Sequence, residues 1–364
     1  MKNAIFIAAT GQNVGKTTLC LGIMAALRQR FSNVGFIKPV GQQHVRIHEN
    51  LIVDKDVLLF KNYFKLDLNY EDMSPVILPA GFTRDFLDGK IDSTHLQNSI
   101  QKGFKQVSST SAFTLVEGTG HVGVGSLIQL NNARVAASLN LDVVIIASGG
   151  LGSAYDELAL NIELCRSYGV KVKGIILNRV LEDKREMIEE YFPKALKQWD
   201  IPLIGCVPYN EFLSLPTLKD FESLFKTKLI AGEKYHNCHF PNHRMVAGSL
   251  EAFQKEELLP NELIITPATR EDIIFSTLDK HVRSENNSSS VHALILTGKH
   301  APNSVIIERI KLADMPVLYA PLCSYDAMKL ITSFIAKIRS EDIQKIEQAI
   351  QLAENNLDFD KIIN

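Results

Sequence analysis

Ala4-Ile5-Phe6-Ile7-Ala8-Ala9-Thr10-Gly11-Gln12-Asn13-Val14-Gly15-Lys16-Thr17-Thr18 is the stretch on which the fold turns. A short apolar run ends in a glycine-containing loop, and apolar residues at helical spacing follow over roughly 16 to 30. A strand, a Gly-rich turn and a helix opening on Gly-Lys-Thr-Thr form a phosphate-binding loop, or P-loop. The glycines let backbone N–H groups converge on phosphate oxygens, and the helix presents its positive end to them. Thr10, Gly11, Gln12, Asn13, Val14, Gly15, Lys16, Thr17 and Thr18 are therefore the expected nucleotide cradle. Lys16 reaches the terminal phosphates and also serves the transfer step, while the Thr17 hydroxyl is placed to ligate Mg²⁺. The loop is a variant: Gly11 and Gly15 enclose three residues, and Thr10 stands where the usual motif has its first glycine.

Outward from this loop, apolar runs recur at 34 to 37, 113 to 116, 142 to 147, 172 to 177 and 203 to 207, each too short for a helix. Helical patterns at roughly 92 to 107, 154 to 168 and 183 to 198 lie between them. Alternation of this kind predicts an α/β fold with a doubly wound, mostly parallel sheet, whose ligands sit beyond the carboxyl ends of the strands. Around 212 to 242, Pro216, Gly232 and Pro241 interrupt the periodicity, so a linker is expected at 213–232 after a first domain at 1–212. Further apolar runs at 262 to 265, 292 to 296 and 316 to 319 predict a second, smaller α/β domain at 233–330. Within it, Ser284 to Ser290 reads as a polar surface loop. Residues 331–364 read as a helical segment docked on a partner surface or on the chain itself.

Lys plus Arg is 39 and Asp plus Glu is 41, a formal net charge of −2, which removes the general electrostatic case for a nucleic-acid or membrane-surface protein. Hydrophobic residues at 46% supply enough apolar surface for a packed core. Five cysteines without a C-x-x-C pair point to a reducing compartment, so cytoplasm is expected. No run is long enough to predict a signal peptide or a membrane span.

Phosphates with Mg²⁺ call for carboxylates, because the hard ion takes oxygen ligands. Glu117, closing the strand before Gly118-Thr119-Gly120, is placed for metal or substrate, or is a solvated strand-end acid. Asp54 and Asp56 precede a helical segment and read either as metal ligands or as helix caps. Lys38, at a strand end before Pro39, would offset anionic charge during phosphoryl transfer; its alternative is a surface lysine. Asn178 offers the donor and acceptor that an adenine edge requires, although an Asn ending a strand also closes turns. His121 reads as a general base or phosphate ligand, or as a loop histidine. The run Ala147 to Ser153 either holds a second anion or caps a helix. His236, Cys238, His239 and His243 do not match the spacing of a zinc finger, and a polar loop is the better reading.

The first 210 or so residues resemble dethiobiotin synthetase and the related N-terminal domain of long phosphotransacetylases. The likeness rests on the Gly-Lys-Thr loop, Phe36-Ile37-Lys38-Pro39-Val40, the Asp54/Asp56 segment, Val116-Glu117-Gly118-x-Gly120, Leu177-Asn178-Arg179 and Ile201 to Tyr209, in that order. It implies that ATP phosphates sit on the first loop, that Lys38 stabilises a carbamate and its phosphorylated form, that Asp56 and Glu117 hold Mg²⁺, and that Asn178 recognises adenine. It also adds Pro208 to the nucleotide-binding set and implies a homo-oligomer. The chain departs from dethiobiotin synthetase at Gly41-Gln42-Gln43-His44, where that enzyme carries small and hydroxyl residues for its substrate. Residues 233 to 330 resemble the small regulatory DRTGG domain of long phosphotransacetylases, although Asn242 to Gly248 does not keep the Asp-Arg-Thr-Gly-Gly motif. The expectations are thus a Mg-dependent ATP-binding protein acting on a small carboxylate or carbamate, or a nucleotide- or metabolite-sensing regulatory module. There is no room in the 364 residues for the acyl-transferring domain, so acetyltransferase activity is not expected.

Overall fold

Runs such as Val143–Ser148 and Ala4–Ala9 carry apolar side chains on both faces, so they can be buried only where helices cover a sheet from two sides. They are the inner strands of such a sheet. The computed structural model describes residues 3–49, 51–285 and 290–364. These divide into two compact units, Met1–Asn210 with Ile338–Asn364, and Glu211–Lys337.

In the first unit six strands pair in parallel, in the spatial order Leu203–Pro208, Val172–Val180, Val143–Ser148, Ala4–Ala9, Phe113–Glu117 and Val34–Ile37. The P-loop strand is therefore inside the sheet, with Ile7 opposite Glu117 and Ala9 opposite Ile146. The chain winds to one side of it and then to the other, and the resulting switch point is where a crevice opens at the carboxyl ends. Ile5, Phe6 and Ile7 are at most 1% exposed, and each such side chain contributes about 1.5–3 kcal/mol on burial.

The sheet is covered in part by the helix Lys16–Arg30, and the C-terminal helix Ile343–Asn356 packs on that helix. Gly22 makes the second contact possible: a Cβ there would stand 2.1 Å from Cβ of Ala353, so only a bare backbone admits this approach. Gly205 does the same at the sheet edge, bridging to Leu357, while the Asp358 N–H donates to the Ile204 carbonyl at 2.9 Å. The helical segment expected at 331–364 is thus two things. Residues 331–333 end the helix Ser324–Ser333 of the second unit, and the helix beginning at Ile343 docks on the chain itself, in the first unit.

The second unit holds a five-stranded sheet in the order Leu229–Ala231, Val317–Ala320, Ala293–Thr297, Glu262–Pro267 and Asn242–Met245, the first strand antiparallel and the rest parallel. Alternate residues feed two cores. Leu263, Ile265 and Ile295 pack with Phe221 and Phe225, and Ile264, Leu294 and Leu296 pack with Ile273 and Ile306. The linker expected at 213–232 is not one. Thr217 and Asp220 form a reciprocal capping box that starts the helix Leu218–Phe225, and Leu229–Ala231 supplies the edge strand. Pro216 and Gly232 bound these elements rather than marking an unstructured tether. The polar loop expected at 284–290 lies mostly outside the described residues.

Candidate nucleotide site

The loop between Ala9 and Lys16 is shaped by two left-handed residues, Asn13 at φ 58° and Gly15 at φ 98°. Gly15 is required there twice over, since a Cβ would also stand 2.2 Å from Nδ2 of Asn178. Among the described residues, the N–H groups of Gly11 to Gly15 make no hydrogen bond within the chain. Five free donors in one turn, ahead of a 15-residue helix, form a cradle for an anion. Thr10 is held by its hydroxyl, which donates to Glu157 Oε2 at 2.8 Å. Asn178 is buried and donates from Nδ2 to the Val14 carbonyl at 2.7 Å, so it braces the loop from below.

Five charged side chains converge behind the cradle. Lys16 is 9% exposed and donates to the Gly120 carbonyl at 2.5 Å. Thr17 donates to Glu117 Oε1 at 3.0 Å. Lys38 Nζ lies 3.3 Å from Asp54 and 3.5 Å from Glu117, and it pairs still more closely with Asp56. Lys38, Asp54, Asp56 and Glu117 are all buried. Asp54 also accepts from the Asp56 N–H at 3.0 Å, so it is a helix cap as well as a partner of Lys38.

Burial sets the electrostatics. Loss of solvent lowers the Lys16 pKa to about 8, against the pull of Glu117. It raises Glu117 to about 7, against Lys38, and raises Asp54 in the same way. For Lys38 burial works downward, yet Asp56, then Glu117 and Asp54, outweigh it and hold its pKa above the usual range. One Glu117 oxygen, Oε2, is buried with no hydrogen-bond partner among the described residues.

No group of three or more His, Cys, Asp or Glu among the described residues is arranged to hold a metal by itself. Mg²⁺ asks for less: it usually takes one or two carboxylates and completes its shell with phosphate oxygens and water. The unpaired Oε2 of Glu117 beside the Thr17 hydroxyl fits that demand.

Other expected residues fall elsewhere. The His121 ring is exposed and accepts from the Gly123 N–H at 3.1 Å, so its Nδ1 is bound up in its own turn; only the neighbouring Gly120 reaches Lys16. Pro208 ends the edge strand Leu203–Pro208. In the Ala147 to Ser153 run, the Gly149 N–H donates to the Asn178 carbonyl at 2.6 Å, which ties that turn to the strand carrying Asn178. In the second unit His236 lies 3.3 Å from Glu222, and the His239 ring lies tilted against Phe212 with centroids 5.0 Å apart.

Sequence reasoning missed the supports. Asn132 accepts from the Thr119 N–H and donates to the Thr119 and His121 carbonyls, and Asn161 accepts from the Val122 N–H. Together they pin the loop that carries Gly118 to Gly120. Their only sequence signal is polarity within helical segments. His44, noticed only as a departure, lies opposite Asp54 in a hairpin, with its Nδ1 buried and without a partner among the described residues.

The chain is similar to several known proteins. The profile of an AAA domain family, AAA_26, matches residues 3–217, and that of the DRTGG domain matches residues 223–334. A phosphate acetyltransferase of Nitratidesulfovibrio vulgaris is 26% identical over 371 residues, covering 100% of this chain and 51% of its own length. An ATP-dependent dethiobiotin synthetase of Caldicellulosiruptor saccharolyticus is 26% identical over 230 residues, covering 61% of this chain and 92% of its own. The MinC:MinD cell division complex of Aquifex aeolicus is similar at 20% identity and a TM-score of 0.36, over 58% of this chain and 83% of that one. The chain spans about half the length of the phosphate acetyltransferases it matches. No helix among the described residues is long and apolar enough to cross a membrane. With a P-loop at the switch point of its parallel sheet and the profile matching more than half of its residues, the chain belongs to the AAA_26 family of P-loop domains and carries a DRTGG domain after it.

Proposed function

We propose that the first unit binds Mg²⁺-ATP and transfers its terminal phosphoryl group to a small carboxylate or carbamate held near Lys38. One observation carries this reading: a buried lysine meets Asp54, Asp56 and Glu117 directly behind an unpaired phosphate cradle. The cradle N–H groups and Lys16 would take the phosphates, with Asn178 bracing the loop and available to contact the base. Thr17, Asp54, Asp56 and Glu117 would hold Mg²⁺, whose charge would neutralise phosphate oxygens. Lys38 would stabilise the acceptor anion and the charge spread over the transferring group. An acceptor carboxylate oxygen bonds to the γ-phosphorus as the bond to the ADP oxygen breaks. An amine or water then attacks the acyl carbon, and phosphate leaves. The likeness to dethiobiotin synthetase supports a diamine-derived carbamate as acceptor. Turnover of radiolabelled ATP with candidate diamines tests this; tight ATP binding with no turnover above background overturns it.

A second reading is favoured by coverage. The phosphate acetyltransferase likeness runs through both units, whereas the dethiobiotin synthetase likeness covers 61% of the chain. On that reading the chain is a nucleotide- or metabolite-sensing module without acetyltransferase activity, and conversion of a diamine defeats it. In both readings we place the protein in the cytoplasm as a homo-oligomer. All five cysteines are free, as a reducing compartment would leave them, and light scattering on the purified chain tests the assembly.

A further inference from the structure

Lys38 sits where a divalent cation would be expected. Its ammonium is within 3.5 Å of carboxylates from three positions, Asp54, Asp56 and Glu117, on two separate stretches of chain. Three buried acids around one point would repel one another without a cation between them, and one ammonium is the smallest charge that serves. It serves incompletely: Glu117 Oε2 is buried and unpartnered, a lone pair directed at no donor among the described residues. A lysine cannot satisfy that oxygen, because its nitrogen is already shared among three acids, and a divalent ion with its water shell can.

We propose that Lys38 is an internal stand-in for the metal: it occupies the acid cluster while the site is empty of nucleotide and is released when a nucleotide delivers the divalent ion. The proposal rests on the ATP reading above and adds an order to it. Metal alone binds poorly because it must displace a paired ammonium. Metal arriving with phosphates brings its own compensation, and the freed Lys38 turns to the acceptor anion. Charging the site and arming Lys38 then become one event.

The test uses Mn²⁺ as the probe and the intact chain without nucleotide, followed by the electron paramagnetic resonance of free Mn²⁺. Wild type takes up little Mn²⁺. Lys38→Met, which empties the cluster of its ammonium, binds Mn²⁺ at least about tenfold more tightly, and Lys38→Arg, which keeps the cation, gains nothing. Equal Mn²⁺ affinity in wild type and Lys38→Met, or an equal gain in Lys38→Arg, overturns the proposal. Should Lys38→Met not fold, the wild-type arm still decides: micromolar uptake of Mn²⁺ alone overturns the stand-in, and uptake only after addition of a non-hydrolysable ATP analogue sustains it. None of the nucleotide-free readouts requires ATP to bind, so failure of the ATP reading would show separately, as absent analogue binding.

Discussion

Both units end their parallel strands in polar loops, and they treat the polar atoms there in opposite ways. In the second unit several of the side chains there are paired. Thr266 donates to the Val246 carbonyl at 3.1 Å, Thr297 and Ser324 share a hydrogen bond of 2.7 Å, Tyr319 donates to Gly298 at 2.8 Å, and Arg270 donates to Gly248 at 2.9 Å. In the first unit the cradle N–H groups and one Glu117 oxygen find none among the described residues. A buried polar atom left unpaired costs about 1–3 kcal/mol; Glu117 Oε2 is such an atom, and with the cradle N–H groups open at the surface beside it the site is held ready for something that binds. The same architecture thus serves structure in one place and readiness for a ligand in another, and the difference lies in what is left unsatisfied.

The contrast can be broken most sharply by paired substitutions. Lys16→Ala is expected to weaken ATP binding at least a hundredfold by calorimetry, about 3 kcal/mol, because a charge-assisted contact to phosphate is lost. Arg270→Ala, beyond the carboxyl end of the strand Glu262–Pro267, is expected to leave it within about twofold. An equal loss from both would end the distinction. Arg244→Ala probes a paired interior charge: Glu262, 1% exposed, keeps the Leu259 N–H but loses its guanidinium. Denaturant unfolding should show about 2 kcal/mol of lost stability with ATP affinity unchanged. A smaller loss than that of Lys16→Ala belongs to Asn178→Ala, which removes the brace under Val14 and should weaken ATP about fivefold, about 1 kcal/mol, with little change in unfolding.

The strands were legible because burial on both faces leaves a continuous apolar run, as in Val143-Val144-Ile145-Ile146. The cradle was legible because its chemistry is local, nine consecutive residues from Thr10 to Thr18. Glu157, Asn132 and Asn161 were not. Glu157 meets Thr10 across 147 positions and Asn161 meets Val122 across 39, and no periodicity records such distances. Residues 213–232 were misjudged for a different reason. Their helix spans only Leu218–Phe225, too short for a periodic signal, and the flanking Pro216 and Gly232 read as breaks more strongly than Thr217-x-x-Asp220 reads as a cap. Docking of the helix Ile343–Asn356 on the chain itself is one of the two options its pattern offers, but its seat is hidden in the sequence, because Gly22 reads as a weak point in a helix until Ala353 is seen against it.

That seat has a consequence for how the protein is made. The first unit is written in two pieces separated by residues 211–337, so a ribosome delivers the P-loop helix long before the helix that covers its Gly22 face. Until residues 343–356 emerge, a nascent first unit carries an apolar notch with no tenant. Chaperone capture of such chains, and their rescue by a separately supplied 338–364 peptide, are where that interval would become visible.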